Sequence, residues 1–301
     1  MEIHQIRYFL AIVREGNFTK AAKACHVSQP SLSQQILKLE DELGQPLFHR
    51  LGRRAVATDA GESFRPRAER IISEIENASR ELVDLTKEGG GRLSVGGIPT
   101  VVPYLMPGVM AELRRSDPGL RVELREGILG PIIAAVRSGE LDLAVTSRLD
   151  PESGLHFEPL LTEPLWLVLK ADHPLAGLEA VPIESLRKEP FVFLGEASSL
   201  GHQVTRFLEV VGFAPDVVAH CSQVRTVKNL VAEGIGLSFL PAVAAGPVGR
   251  SRLVYRRLQG ISPFRELGIV RHPQRYFGSG ARRFTEATKA HVCALRESTI
   301  H

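Results

Sequence analysis

The hydrophobic positions of the first 58 residues recur at helical spacing and predict short helices that end in a basic turn. The segment QPSLSQQILKLEDEL has apolar residues separated by four, three and four positions. These residues are Leu32, Ile36, Leu39 and Leu43. They form one narrow stripe that must pack on a core. Ser28 suits the N-cap of this helix, Pro30 its first turn and Gly44 its C-cap, which leaves the polar face available for another role.

A second helical pattern follows between residues 58 and 88, with apolar residues separated alternately by four and three positions. Its members are Phe64, Ala68, Ile71, Ile75, Ala78, Leu82 and Leu85. This heptad seam favours pairing with a partner helix, with packing against its own chain as the alternative. Pro66 predicts a kink near the start, unless the helix begins near Thr58 or Asp59 and places Pro66 in its second turn.

From Arg92 onward, after the flexible break GGG at 89–91, short apolar strands alternate with helices. The predicted strands are 93–97, 122–127, 141–146, 165–170, 191–195, 217–222 and 237–242, and the clearest helices are 101–115, 130–140 and 280–298. Nearly continuous apolar strands between helices indicate parallel sheets covered on both faces. Ligands of such sheets bind beyond the carboxyl ends of the strands.

Composition and charge narrow the class of protein. The chain has 301 residues, of which 44% are hydrophobic and 24% charged, which is typical of a globular protein of about two domains. No apolar run of membrane-spanning length and no signal-peptide core occur, so we expect a cytoplasmic protein. Three widely separated cysteines argue against a disulfide framework or a metal site. Residues 1–58 hold eight Lys or Arg against five Asp or Glu, and three of these bases lie in HRLGRR at 49–54.

The helix that begins at Gln29 combines small and amide side chains with a preceding short helix, the turn CHVS and the basic HRLGRR. Gln and Ser can read base edges in the major groove, and a helix N-terminus attracts phosphate. Thr19 can cap the preceding helix and offer its hydroxyl to phosphate. This layout predicts a helix-turn-helix with a basic wing, and an ordinary helical hairpin is the alternative. The candidate DNA-binding residues are Thr19, Ser28, Gln29, Pro30, Ser31, Ser33, Gln34, Lys38, Arg50, Arg53 and Arg54.

A longer set of positions joins these features. It comprises Ile6–Phe9, Gly16, Phe18, Thr19, Ala21, Ala22, Val27–Ser33, Ile36, Leu39, Glu40, Leu43, Gly44, Leu47, Phe48, Arg50, Arg53, Thr58, Ala60 and Gly61. This stretch resembles the N-terminal module of LysR-type transcriptional regulators, and the match extends over the whole chain. One departure is Gln34, where the family often has Arg, so a neutral contact replaces a charged one.

The resemblance implies an α/β protein in three parts. A winged helix-turn-helix would occupy 1–58, a dimerising linker helix 59–88, and a two-lobed, periplasmic-binding-protein-like effector domain 89–301. Lobe I would comprise about 92–161 and 266–301, and lobe II about 162–265. Three turns at strand ends would line the cleft between the lobes. The candidate effector-binding residues there are Thr100, Ser198, Ser199, His202, Ser222 and Gln223, although each Ser or Thr could equally be a plain helix cap.

The effector region looks closest to peroxide-sensing members of the family, which carry two cysteines in the segment corresponding to 198–209. Ser199 and Leu208 occupy those positions here. Cys221 lies in a predicted buried strand, where thiols are usually inert. We therefore expect a different trigger, a small molecule for which an anion is one candidate class.

The sequence thus predicts a DNA-binding regulator switched by a small effector. Its expected partners are duplex DNA, the effector, a second copy through the linker helix, a homotetramer and, as a further candidate, RNA polymerase. A solute-binding transport module is the alternative, and the N-terminal module argues against it. We expect no enzymatic activity and no cofactor, because no nucleotide loop, metal cluster or nucleophile elbow is present and His202 lacks an acidic partner.

Overall fold

The computed structural model describes residues 1–51, 54–86, 91–245, 252–261 and 263–299. The chain divides into two compact units, Met1–Thr86 and Lys87–His301, which are described separately. None of the described helices is long and apolar enough to cross a membrane.

The N-terminal unit is helical with one hairpin. Its elements are α1 Ile3–Glu15, α2 Phe18–Ala24, α3 Gln29–Leu43, β1 Phe48–Leu51, β2 Arg54–Ala57 and α4 Asp59–Thr86. The predicted stripe of α3 is buried at Leu32, Ile36 and Leu39, whereas Leu43, in the last turn, is 38% exposed. The core extends to α1, whose Phe9 ring contacts the rings of Phe48 and Phe64.

The linker helix α4 begins at Asp59 and runs continuously through Pro66, which lies in its second turn. Thr58 holds this start in place, because its hydroxyl donates to the Pro46 carbonyl (2.6 Å) and accepts from the Gly61 N–H (3.1 Å). The heptad seam divides into two parts. Phe64, Ala68 and Ile71 pack into the core of their own unit, as the alternative interpretation expected. Further along, Ala78 is exposed and Leu82 is 65% exposed, and the side chain of Leu85 lies outside the described residues.

The second unit is a mixed α/β structure. Its elements are β3 Gly91–Gly97, α5 Val102–Ser116, β4 Leu120–Glu126, α6 Leu129–Ser138, β5 Leu143–Ser147, β6 His156–Lys170, β7 Ala180–Val181, β8 Pro190–Leu194, α7 Ser199–Val210, β9 Asp216–Cys221, α8 Val224–Ala232, β10 Ser238–Pro241, β11 Leu253–Leu258, β12 Phe264–Arg271 and α9 Ser279–Thr299. The predicted strands and helices are present with shifted ends, but β7, β11 and β12 were not predicted.

The main sheet has the strand order β4-β3-β5-β12-β6-β11-β7, with β10 also paired to β6, and β8 and β9 form a separate parallel pair. Strand β3 pairs in parallel with β4 and β5, whereas β12 pairs antiparallel with both β5 and β6. The prediction of parallel sheets is therefore confirmed for β3, β4 and β5 and for the pair β8 and β9, but it is wrong for β6 and its neighbours β10, β11 and β12. The reason is that β6 is 15 residues long and β12 returns beside it along most of that length.

Two large hydrophobic cores flank these long strands, and a smaller cluster lies around α6. Core I draws its buried residues from 93–145 and 267–292, and core II draws its residues from 165–258. Strands β6 and β12 connect the two cores, because residues of β6 pack in both clusters and β12 leads from the end of core II into core I. This strand pair therefore forms the backbone connection between the two cores.

Candidate nucleic-acid interface and effector cavity

The start of α3 has the capping geometry that its sequence predicts. The Ser28 hydroxyl accepts from the Ser31 N–H (3.3 Å), and Pro30 occupies the first turn. Gly44 ends the helix with a left-handed φ of 68°. These local contacts fix where the helix begins, and so which side chains its first turn presents.

The polar face of that first turn is open to solvent. Ser28, Gln29, Pro30 and Ser31 are exposed, and Gln29 Nε2 donates to the half-buried Ser33 hydroxyl (2.8 Å). Gln34 and Lys38 continue this exposed face. Because the opposite stripe is fully buried, the orientation of the polar face is fixed by the core rather than by the polar residues themselves.

The expectation that Thr19 caps α2 was wrong. Asn17 is the N-cap, and its side chain accepts from the Lys20 N–H (3.0 Å). The backbone of Asn17 is extended, as an N-cap requires, whereas Thr19 is already the second residue of the helix. Thr19 is nevertheless exposed, so its hydroxyl is available to a phosphate.

The wing is the antiparallel hairpin of β1 and β2, with Leu51 opposite Arg54. Arg54 is exposed, whereas the side chain of Arg50 and the whole of Arg53 lie outside the described residues. The Glu40 carboxylate accepts from the N–H groups of Leu47 and Phe48 (2.7 and 3.2 Å) and so ties the wing to α3. This role of Glu40 was not predicted from the sequence, because an acid near a helix end has the pattern of an ordinary surface residue.

The second unit contains a cavity of about 270 Å³ formed by four turns. Its lining comprises Ile98–Thr100 before α5, Ile128 and Leu129 at the start of α6, Gly195–Ser199 before α7, and His220–Ser222 with Val224 before α8. Three of these turns follow the carboxyl ends of the parallel strands β3, β8 and β9, where ligands of such sheets bind. Four helix N-termini thus surround one space.

The structure brings four of the six predicted effector residues to this cavity and leaves two out. Thr100, Ser198, Ser199 and Ser222 line it. His202 is exposed one turn inside α7 and Gln223 is exposed at the N-cap of α8, and neither belongs to the lining. The backbone of Gln223 is extended, so its side chain points away from the side shared by Ser222 and Val224.

The prediction that Cys221 is buried in a strand also needs correction. Cys221 is half-buried and lines the cavity, beside His220, which was not among the predicted site residues. Strand β9 alternates exposed and half-buried positions, so only one of its faces is covered. Burial raises the pKa of the Cys221 thiol above its usual value, so the group stays protonated at neutral pH.

A fully buried arginine holds the Thr100 wall of the cavity. Arg265 is 1% exposed, and its Nη1 and Nη2 donate to the Thr100 hydroxyl (2.9 Å) and carbonyl (3.0 Å). Its Nε donates to Glu163 Oε1 (2.8 Å), and Glu163 Oε2 accepts from the Val243 N–H (3.1 Å). Burial lowers the pKa of Arg265, and the charge of Glu163 opposes that shift.

A second polar contact lies at the cavity beside Ser199. The hydroxyls of Ser147 and Ser199 are 3.2 Å apart, which joins the end of β5 to the first residue of α7. Ser147 is fully buried at the end of a strand from core I, whereas α7 packs on core II. The cavity therefore lies where the two cores meet.

Together these features define a class of protein. The chain joins a winged helix-turn-helix with an exposed polar face to an α/β unit that has a cavity at its strand ends. This combination is typical of a ligand-responsive DNA-binding regulator.

Comparison with known proteins identifies the family. Residues 3–62 match the bacterial regulatory helix-turn-helix protein, lysR family, and residues 86–293 match the LysR substrate binding domain. The chain is 33% identical over 293 residues to the DNA-binding transcriptional dual regulator OxyR of Escherichia coli K12, which covers 97% of this chain and 96% of OxyR. The chain belongs to the LysR family of transcriptional regulators.

Solved structures agree with this assignment. A full-length OxyR variant from Pseudomonas aeruginosa superimposes with a TM-score of 0.73 at 28% identity, covering 97% of this chain and 94% of that one. Full-length BenM gives a TM-score of 0.62 at 25% identity and 98% coverage of both chains. The protein is thus a DNA-binding transcriptional regulator with an effector-binding domain rather than a transport module. Its relatives are not enzymes, and regulators of this family bind DNA and small molecules and form oligomers.

Proposed function

We propose that the exposed face of α3 reads operator DNA in the major groove while the wing contacts the backbone or the minor groove. The observation that carries this proposal is the fully buried stripe of Leu32, Ile36 and Leu39, which leaves the Gln29–Gln34 face exposed. The proposed contacts come from Thr19, Ser28, Gln29, Pro30, Ser31, Ser33, Gln34 and Lys38, and from Arg50, Arg53 and Arg54 of the wing. The proposed domain boundaries remain 1–58, 59–88 and 89–301.

The effector we propose is a small molecule with an anionic or otherwise acceptor-rich group and an apolar body. Thr100 accepts from Arg265, and Ser198 accepts from the Gly201 N–H (3.5 Å), so each hydroxyl proton is left to donate to a ligand acceptor. Helix N-termini favour the same negative group. The described lining contains no Lys or Arg, and its one acid, Glu196, is exposed and therefore screened by water.

The trigger proposed for this chain is not a cysteine pair. OxyR proteins are among its relatives, and curated ones carry the name hydrogen peroxide-inducible genes activator. Here Ser199 and Leu208 stand at the two positions that carry cysteine in peroxide sensors, and Leu208 is 1% exposed within core II. We therefore propose that the signal is a small molecule bound in the cavity beside Ser199.

The proposed assembly is a homodimer through the linker helix and a homotetramer beyond it, with RNA polymerase as a candidate partner. Leu82, at a heptad position and 65% exposed, supports pairing of this part of α4 with a second copy. Effector binding would then shift the balance between arrangements of the dimer and change the spacing of the DNA-binding units.

A gel-shift titration with the DNA upstream of the protein's own gene tests the DNA proposal. Replacing Arg53 or Arg54 by Ala should weaken binding to all duplexes and reduce the slope of log affinity against log salt by about 0.9 for each lost phosphate contact. Arg115→Ala is a matched control, because it removes the same charge from an exposed side chain of α5. No binding at low ionic strength, or a slope that the wing variants leave unchanged, would contradict the proposal.

A thermal-shift screen of acetate, pyruvate, 2-oxoglutarate and benzoate tests the cavity. Ser222→Ala should reduce the shift given by any binder, because Ser222 lines the cavity without capping a helix. Ser185→Ala, at an exposed position of a 3₁₀ turn, is the control and should leave the shift intact. If Ser222→Ala and Ser185→Ala change the thermal shift given by a compound equally, that compound binds outside the cavity.

A further inference from the structure

The buried pair of Arg265 and Glu163 touches more than the wall of the cavity. The two residues lie opposite each other on β12 and β6, the strands that connect core I with core II. On one side Arg265 binds both oxygens of Thr100, in the turn that leads from β3 into α5. On the other side Glu163 accepts from Val243, in the 3₁₀ turn Ala242–Ala244 that packs on core II.

From this chain of contacts we infer that Arg265 and Glu163 are positioning residues that transmit the state of the Thr100 wall to core II. No described hydrogen bond joins Thr100 directly to Val243. The polar route between them therefore runs through Arg265 and Glu163. The route contains four charge-assisted hydrogen bonds and is excluded from water, with Arg265 1% and Glu163 4% exposed.

Both ends of this relay are anchored. The Thr100 turn is held by N–H bonds from Val101 and Val102 to the Ile98 carbonyl (2.9 and 3.0 Å), so a ligand that pulls on the Thr100 hydroxyl moves a defined segment. The Val243 turn is held by the Ala245 N–H on the Ala242 carbonyl (3.0 Å), and Ala244 is buried in core II. A displacement at one end therefore has a stiff element to act on at the other.

A ligand that accepts from the Thr100 hydroxyl would draw that oxygen toward the cavity and change its bond with Arg265 Nη1, the first bond of the relay. The guanidinium is planar and its donors are fixed relative to one another, so a shift of Nη1 also changes the contact of Nε with Glu163. Glu163 in turn carries the shift to the Val243 N–H. The inference rests on the proposed effector cavity for its biological use, but its contacts exist without any effector.

Hydrogen exchange measured by mass spectrometry on the full-length protein, without DNA or effector, tests the relay. Thr100→Val removes the acceptor for Nη1 at the cavity wall. It should speed exchange in the peptide covering 240–245 by about fivefold, which is the factor expected when the free energy of local opening falls by the net contribution of one hydrogen bond. In the Arg265→Lys background the same substitution should add nothing, because lysine cannot bridge Thr100 and Glu163 together. Thr100→Ser keeps the hydroxyl and should restore the exchange of the original protein.

Arg148→Gln serves as the matched control, because it breaks an exposed ion pair with Glu266, the neighbour of Arg265, without touching the relay. It should leave exchange at 240–245 unchanged. Unchanged exchange in Thr100→Val, an equal effect in the Arg265→Lys background, or a failure of Thr100→Ser to restore the original rate would overturn the inference. Failure of every tested carboxylate to bind would instead contradict the proposed effector class and leave the relay standing.

Discussion

The buried ion pair also yields a sharp prediction about stability. Removing one partner of a buried pair leaves an uncompensated charge and costs about 3–5 kcal/mol. Glu163→Gln keeps an acceptor for Arg265, so we expect the free energy of unfolding to fall by about 3 kcal/mol, at the lower end of that range. Arg265→Met leaves the Glu163 carboxylate and both oxygens of Thr100 without the donor they bind. We therefore expect the free energy of unfolding to fall by about 5 kcal/mol, at the upper end of the range.

The double variant separates a charge effect from loss of packing. Arg265→Met with Glu163→Gln contains no buried charge at this place, and apolar replacements of buried pairs are often nearly neutral. We therefore expect the double variant to be more stable than Arg265→Met alone. The remaining loss comes from the oxygens of Thr100, which no longer have a donor.

The assay is equilibrium unfolding in urea, because urea does not screen charges. The chain has one tryptophan, Trp166, three residues after Glu163 on β6 and 6.3 Å from the ring of Tyr255, so its fluorescence reports the unit that carries the pair. A loss of 3 kcal/mol should lower the urea midpoint by about 1–3 M. Arg148→Gln, which breaks an exposed pair, should cost no more than about 1 kcal/mol. The reasoning fails if Arg265→Met is as mild as this control, or if the two single costs simply add.

Three further outcomes are expected. Ser28→Ala removes the acceptor of the Ser31 N–H, should cost about 1 kcal/mol and should weaken operator binding in a gel shift; unchanged affinity would mean that the cap does not hold the reading turn. Leu82→Asp should raise the dimer dissociation constant more than tenfold in sedimentation, because burial of leucine contributes about 1.5 kcal/mol or more, and an unaltered dimer would exclude Leu82 from the interface. At neutral pH a maleimide should label exposed Cys293 faster than Cys221, whose pKa is raised by burial, and the reverse order would show an activated Cys221.

The features that the sequence predicted well depend on neighbours a few positions away. Ser28, Pro30 and Gly44 bound α3 because capping involves only the adjacent turn. The stripe of α3 was also predictable, since 3.6-residue periodicity follows from helix geometry. The exposure of Leu43 was not, because only the packed unit shows that the core ends before the last turn of the helix.

The sheet was mispredicted because its decisive pairings join distant segments. Arg265 and Glu163 are 102 positions apart, and nothing local to either one states that they face each other. A signal was nevertheless present: a charged residue inside an apolar strand such as FRELGIV requires a buried partner. That signal indicates that a partner exists and leaves its identity open.

The direction in which each side chain of a turn points could not be predicted from the sequence either. All three predicted turns line the cavity, yet Ser222 lines it while adjacent Gln223 does not, and Cys221 lines it although its strand was expected to be buried. Which side chain of a turn faces inward depends on two or three dihedral angles, and composition carries no information about them.

In the proposals above, the first turn of a helix serves two kinds of recognition, of DNA at α3 and of an effector at the cavity, and the surrounding residues decide which. At α3 the turn is exposed and polar and lies within residues 1–58, where eight Lys or Arg outnumber five Asp or Glu, so we expect counterion release to make its interaction with DNA strongly dependent on salt. At the cavity the turns are mixed with apolar residues such as Ile98, Leu129 and Val224, and Arg265 is already neutralised by Glu163. The recognition that we propose there would rest on hydroxyl donors, helix dipoles and apolar contact, which salt affects much less. We therefore expect ionic strength to act mainly on the DNA-binding unit, so that an effector stays bound in the proposed cavity at salt concentrations that release the operator.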